Sequence, residues 1–139
     1  MLDLVLCVDD DPITLMLCKM VITKTSFSKE ITTASNGEKA IGYFDNLKAD
    51  FKTNKSIHKP QLIFLDLNMP VMNGWEFLES FSSSDYSDFN SINVIILSST
   101  IDPEDLEKSR KYPMVIDFLS KPITKEMLEY LTNKIQNTP

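Results

Sequence analysis

Four apolar runs along the chain each stop abruptly at a polar or charged group. Residues 4–8 (Leu-Val-Leu-Cys-Val) give way to Asp9-Asp10, and residues 62–65 (Leu-Ile-Phe-Leu) to Asp66. Residues 94–97 (Val-Ile-Ile-Leu) give way to Ser98-Ser99, and Phe118-Leu119 is soon followed by Lys121-Pro122. The runs are short, leucine-rich or β-branched, and do not alternate apolar with polar. That is the pattern of strands buried on both faces, as in a parallel sheet covered by helices.

Between the runs the period changes to that of a helix. After a first strand at 4–8, Asp11 is placed as an N-cap and Pro12 at the first helical position. Ile13, Met16, Leu17, Met20 and Val21 then recur at helical spacing, and Met16 and Met20, like Met127 near the C-terminus, are read as core. A second strand is predicted at 30–34, before a helix capped by Asn36 and carrying Ala40, Ile41, Phe44 and Leu47. A third, at 62–65, leads through a loop at 66–73 to a helix with Trp75, Phe77, Leu78 and Phe81. A fourth, at 93–97, precedes a helix opened by Asp102 and Pro103. The fifth is short, 117–119, and the last helix opens at Thr124 and carries Met127, Leu128, Leu131 and Ile135. Alternating strands and helices predict an α/β fold: a doubly wound parallel sheet with helices on both faces.

In such a sheet the C-terminal ends of the strands share one edge, and ligands bind outside it. Asp9, Asp10, Asp66, the Ser98 hydroxyl and the Lys121 ammonium are therefore expected in one crevice. Clustered carboxylates repel one another and favour a cation among them. Oxygen ligands of this kind suit Mg²⁺, and a carboxylate beside a cation and an ammonium can take a phosphoryl group. Capping alone accounts for Asp11 but not for three acids in a row.

At this point the motifs can be set beside a known family. Val8-Asp9-Asp10-Asp11-Pro12, Leu65-Asp66-Leu67-Asn68-Met69-Pro70 with Asn73-Gly74, Leu97-Ser98-Ser99 and Lys121-Pro122 stand in this order, each at a strand end. Over essentially the whole chain the sequence resembles the receiver domain of a two-component response regulator, of the single-domain kind similar to chemotaxis regulators. The resemblance implies a flavodoxin-like sheet of order 2-1-3-4-5. It implies a Mg²⁺ site of Asp10, Asp66 and the Asn68 carbonyl, with Asp9 holding a bound water or setting the local charge. Asp66 would be the phosphoacceptor. Lys121 and Ser98 would contact the phosphoryl group, with the lysine turned into the crevice by a cis bond to Pro122. Ser98 and Phe118 would form the switch pair, where the family more often has threonine and tyrosine. The donor would be a histidine kinase or histidine phosphotransfer protein. The output would be a changed affinity for a downstream protein target, through the fourth helix, fifth strand and fifth helix. The chain would not be an enzyme toward other substrates, though it would assist its own phosphorylation and dephosphorylation.

Composition narrows the alternatives. A length of 139 residues and a hydrophobic content of 42% suit one domain, residues 1–139, with no output domain expected. A net charge of −6 argues against direct nucleic-acid binding, which needs a basic face. No apolar run spans a bilayer and no signal peptide is evident, so a cytoplasmic protein, monomeric or weakly dimeric, is expected. Cys7 and Cys18 read as small apolar core residues, not as a disulfide framework. His58 lacks partners for a zinc site.

Three other functions share parts of this pattern. A haloacid-dehalogenase-type phosphatase needs a second aspartate two residues after its nucleophile, and Asn68 stands there, unable to donate a proton. A flavodoxin-like cofactor binder needs a phosphate-welcoming loop after strand one, where this chain is acidic. A receiver-like scaffold that is never phosphorylated would be expected to lack some of Asp10, Asp66, Ser98 or Lys121, and all are present. Two long connections, 48–60 and 82–91, are expected to be solvated loops or extended helix ends, with a partner-specific surface as the alternative.

Overall fold

The computed structural model describes residues 1–53 and 58–136. Five strands pair in parallel in the order β2-β1-β3-β4-β5: β1 Leu2–Val8, β2 Ser28–Ala34, β3 Leu62–Leu65, β4 Asn93–Ser98 and β5 Val115–Ser120. Five helices alternate with them: α1 Pro12–Lys24, α2 Gly37–Thr53, α3 Gly74–Phe81, α4 Pro103–Ser109 and α5 Lys125–Gln136. The expected fold class and strand order are those observed. Strand β5 is longer than expected, and one irregularity in its pairing lies between Val94 and Ile95.

The sheet divides two cores. On one face α2 and α3 bury Phe44, Phe77, Phe81 and Phe89 against Leu6, Ile63 and Ile96. On the other, α1 and α5 bury Cys18, Ile22, Leu128 and Leu131 against Val5, Phe64 and Ile95. The central strands have core on both sides, which is why their sequences do not alternate.

Capping chemistry sets where helices begin beside the upper edge. Asp11 accepts from the Ile13 N–H at 3.0 Å, with Pro12 opening α1. Asp102 accepts from the Glu104 N–H at 2.9 Å, with Pro103 opening α4. Asn73 and Glu76 form a reciprocal capping box at the start of α3.

Two expectations need correction. In α1, Ile13, Met16, Leu17 and Met20 are exposed, and Cys18 and Ile22 face the core instead. The helix has apolar residues at helical spacing on two faces, and only docking on the sheet chooses between them; Met127 is half-buried. The connection at 82–91 is no simple solvated loop. It folds into a 3-10 segment, Ser84–Phe89, whose Phe89 is fully buried against Phe44 and Phe81. The other connection begins as helix, since α2 runs to Thr53, while its residues 54–57 and the tail 137–139 lie outside the described residues.

Candidate functional site

The ladder brings the acids together before any side chain acts. Val8 pairs with Leu65 in adjacent strands, and the Asp66 N–H donates to the Val8 carbonyl at 2.9 Å. Asp9 continues β1, its N–H donating to the Ala34 carbonyl at 3.1 Å. The carboxylates of Asp9 and Asp66 are buried and that of Asp10 is exposed.

One oxygen from each of Asp9, Asp10 and Asp66 lies within 4.8 Å of the others. An octahedral ion with bonds of about 2.1 Å sets its ligands roughly 2.9–4.2 Å apart, so this donor set fits a hard divalent cation with little movement. The remaining Asp9 chemistry is committed: its Oδ1 accepts from the Asp11 N–H at 2.9 Å. Asn68 is exposed at the lip.

Lys121 enters from the neighbouring strand end. Its N–H donates to the Ser98 carbonyl at 2.8 Å, and the Lys121–Pro122 peptide is cis. Its ammonium stands 2.6 Å from Asp9 Oδ2 and 3.3 Å from Asp66 Oδ1. Burial works against that charge, but Asp9 and Asp66 outweigh it and raise the Lys121 pKa above its ordinary value. Burial and then the Asp9 charge raise Asp66 above the ordinary carboxylate value, against the lowering pull of Lys121 and the Asn68 N–H.

Ser98 is buried, and its hydroxyl donates to the Thr100 carbonyl at 2.7 Å. Phe118 is 7% exposed and packs in the core shared with α2 and α3. Asp9, Asp10, Asp66 and Lys121 thus meet in one cluster. Ser98 is joined to it through the backbone, and Phe118 lies in the adjoining core.

Several supporting features went unread in the sequence. A Cβ on Gly74 would stand 2.5 Å from the Asp66 carbonyl oxygen, so only glycine lets α3 start against the Asp66 backbone. Gly37 meets the same loop, a Cβ there lying 2.7 Å from the Met72 carbonyl oxygen. Val71, exposed in this loop, has a left-handed φ of 69°, a conformation costly for a β-branched residue. The Asn-Gly pair at 73–74 was the available signal for a close approach, whereas nothing marks Val71.

Comparison with known proteins agrees with this geometry. The model of the response regulator receiver domain family matches residues 5–133. A crystal structure of a two-component response regulator from Cytophaga hutchinsonii superimposes with a TM-score of 0.85 at 34% identity, covering 99% of this chain and 98% of that one. An uncharacterized response regulatory protein of Staphylococcus epidermidis is 29% identical over 131 residues, 94% of this chain and 45% of that protein. Hybrid signal transduction histidine kinase C of Dictyostelium discoideum is 27% identical over 134 residues, 94% of this chain and 10% of that protein. The chain therefore spans less than half the length of these two curated relatives. No helix among the described residues is long and apolar enough to cross a membrane. With the family model matched over residues 5–133 and the fold superimposed over nearly the whole chain, the chain belongs to the response regulator receiver domains, the phosphoacceptors of two-component signalling.

Proposed function

We propose that Asp66 accepts a phosphoryl group from a phosphohistidine donor in a Mg²⁺-dependent reaction, and that the aspartyl phosphate alters binding to a protein target. The observation that carries this reading is the Asp66 carboxylate, held between a cation-ready trio of acids and the Lys121 ammonium.

Asp9, Asp10, Asp66 and the Asn68 carbonyl would hold the metal. Bound there, Mg²⁺ supplies charge neutralisation for the phosphoryl oxygens. An Asp66 oxygen attacks phosphorus, the phosphorus–nitrogen bond to the donor imidazole breaks, and the electron pair leaves on that nitrogen. Lys121 shifts its hydrogen bond from the carboxylates to a phosphoryl oxygen. Ser98 turns its hydroxyl from the Thr100 carbonyl to another, forming a charge-assisted bond. The chain acts as acceptor and assists its own modification, and it transforms no separate substrate.

The exposed stripe Ile13, Met16, Leu17 and Met20 on α1 supports docking of a histidine kinase or phosphotransfer protein beside the acids. The relative that is a hybrid histidine kinase supports the same pairing of partners. Incubation with acetyl phosphate tests the reading. One phosphoryl group should appear by intact mass with Mg²⁺ and disappear with a chelator; no addition under either condition would refute it.

A further inference from the structure

We propose that Trp75, Lys108 and Tyr112 form a clasp that fastens α4 to α3, and that this clasp opposes occupancy of Asp66 by a phosphoryl group. The second half of the proposal rests on the phosphoacceptor reading above; the first does not.

Three contacts build the clasp. The Lys108 ammonium, in the last turn of α4, lies 4.6 Å from the centroid of the Trp75 ring on α3. The Tyr112 ring, just past α4, stacks on the same indole, with centroids 6.1 Å apart and planes at 29°. The Tyr112 hydroxyl donates to Glu79 Oε2, one turn further along α3, at 3.0 Å. An electron-rich indole face suits both a cation and a second ring.

Little else holds α4. Its seven residues bury only Ser109. Leu106, half-buried, is the one apolar side chain it packs against the core. The bonds from Asp102 to the Glu104 N–H, from Ser109 to the Leu106 carbonyl and between Arg110 and Glu107 all stay within the helix and its caps. A helix with so little buried apolar surface opens at low free-energy cost. The other jaw is firm, because α3 buries Phe77, Leu78 and Phe81.

Both jaws lead to the acidic site. Trp75 follows Gly74, which lies against the Asp66 backbone. The α4 cap, Asp102, stands two residues after Thr100, whose carbonyl accepts from the Ser98 hydroxyl at 2.7 Å. When Ser98 turns to a phosphoryl oxygen, it releases that carbonyl and frees the segment entering α4. The bond from Ser98 to the phosphoryl group belongs to the released arrangement, and the clasp contacts belong to the resting one. A ligand shifts such an equilibrium only through contacts that differ between the two states. Loss of a clasp contact therefore favours occupancy by the factor with which occupancy weakens that contact.

Three conservative variants of the full chain test this. Lys108→Met keeps the helix propensity and the apolar stem on the indole but removes the charge. Tyr112→Phe keeps the ring and removes the bond to Glu79. Lys108→Arg returns a cation to the ring face. In the unmodified protein, amide hydrogen exchange over residues 103–112 should be about 2- to 5-fold faster in the first two variants, the factor represented by one exposed contact of these kinds. It should run at the parental rate in Lys108→Arg. The beryllofluoride concentration for half-saturation with Mg²⁺, read from the amide resonances of residues 98–100, should fall about 2- to 5-fold in the first two variants and return to the parental value in Lys108→Arg. A contact that only adds stability would not tighten beryllofluoride when removed. Unchanged half-saturation, or unchanged exchange over α4, would overturn the proposal. If the parent binds no beryllofluoride, the phosphoacceptor reading fails and the second half with it, while the exchange rates still decide whether the clasp fastens α4.

Discussion

Lys121 and Asp9 form the closest ion pair of the acidic site among the described residues, with Nζ 2.6 Å from Oδ2. The same ammonium is 3.3 Å from Asp66 Oδ1. In this state the lysine acts as the internal counter-ion of the acids. A metal ion entering the cluster would compete with it for Asp9, and a phosphoryl group on Asp66 would offer it a new partner.

Lys121→Ala should therefore bind Mg²⁺ more tightly than the parent, because the competing ammonium is gone. It should also lose stability, by about 2–4 kcal/mol in metal-free buffer, since two buried carboxylates are left uncompensated. Calorimetric metal titration and urea denaturation measure the two effects. Hydrogen exchange with beryllofluoride should show a blunted response in this variant, and a full response would remove the lysine from the switching step.

Asp66→Asn should be more stable than the parent at neutral pH without metal. The sign follows from the raised Asp66 pKa. A carboxyl whose folded value exceeds its unfolded value favours folding while protonated, and that contribution disappears as pH rises through the folded value. The gain should be on the order of 1 kcal/mol at pH 7 and vanish below about pH 3.9. Thermal melts across that range would show it, and equal melting at every pH would contradict the assigned effect of burial and the Asp9 charge.

Two glycines make a controlled pair. Gly74→Ala should cost about 1–3 kcal/mol and weaken metal binding, because its Cβ would lie 2.5 Å from the Asp66 carbonyl oxygen. Gly42→Ala in α2 meets nothing within 4 Å and should stabilise by about 0.5–1 kcal/mol. Denaturation midpoints for both variants test whether the close approach, and not the lost flexibility, governs the loop.

Much of this arrangement was legible in the sequence for a physical reason. A strand buried on both faces must be apolar throughout, so the first polar group after it marks the sheet edge, and Asp9, Asp66, Ser98 and Lys121 were found that way. Asp11-Pro12 and Asp102-Pro103 gave helix starts because both residue types act locally. The phase of α1 was not legible. Residues 13, 16, 17 and 20 and residues 15, 18 and 22 each make an apolar stripe, and tertiary docking alone buries the second. Phe89 was hidden for a related reason, since a lone aromatic among serines and aspartates has no period to reveal its pocket.

The Ser98 hydroxyl is bonded to the Thr100 carbonyl while Phe118 is buried. Beryllofluoride should therefore shift amide resonances around Ser98–Thr100 strongly and leave the Phe118 ring in place. Crystal structures with and without beryllofluoride would decide; a ring turned out to solvent in either would contradict this expectation. Phe118→Ala should cost about 3–5 kcal/mol, as for any buried ring.

Everything proposed for this site turns on Asp66 itself carrying the phosphoryl group. The most direct measurement treats the protein with acetyl phosphate and Mg²⁺, reduces the acyl phosphate with borohydride, and locates the resulting alcohol by peptide sequencing. A single modified position, residue 66, is expected, dependent on Mg²⁺ and absent from Asp66→Asn. Reduction at any other carboxyl, or none despite full loading with phosphodonor and metal, would contradict it.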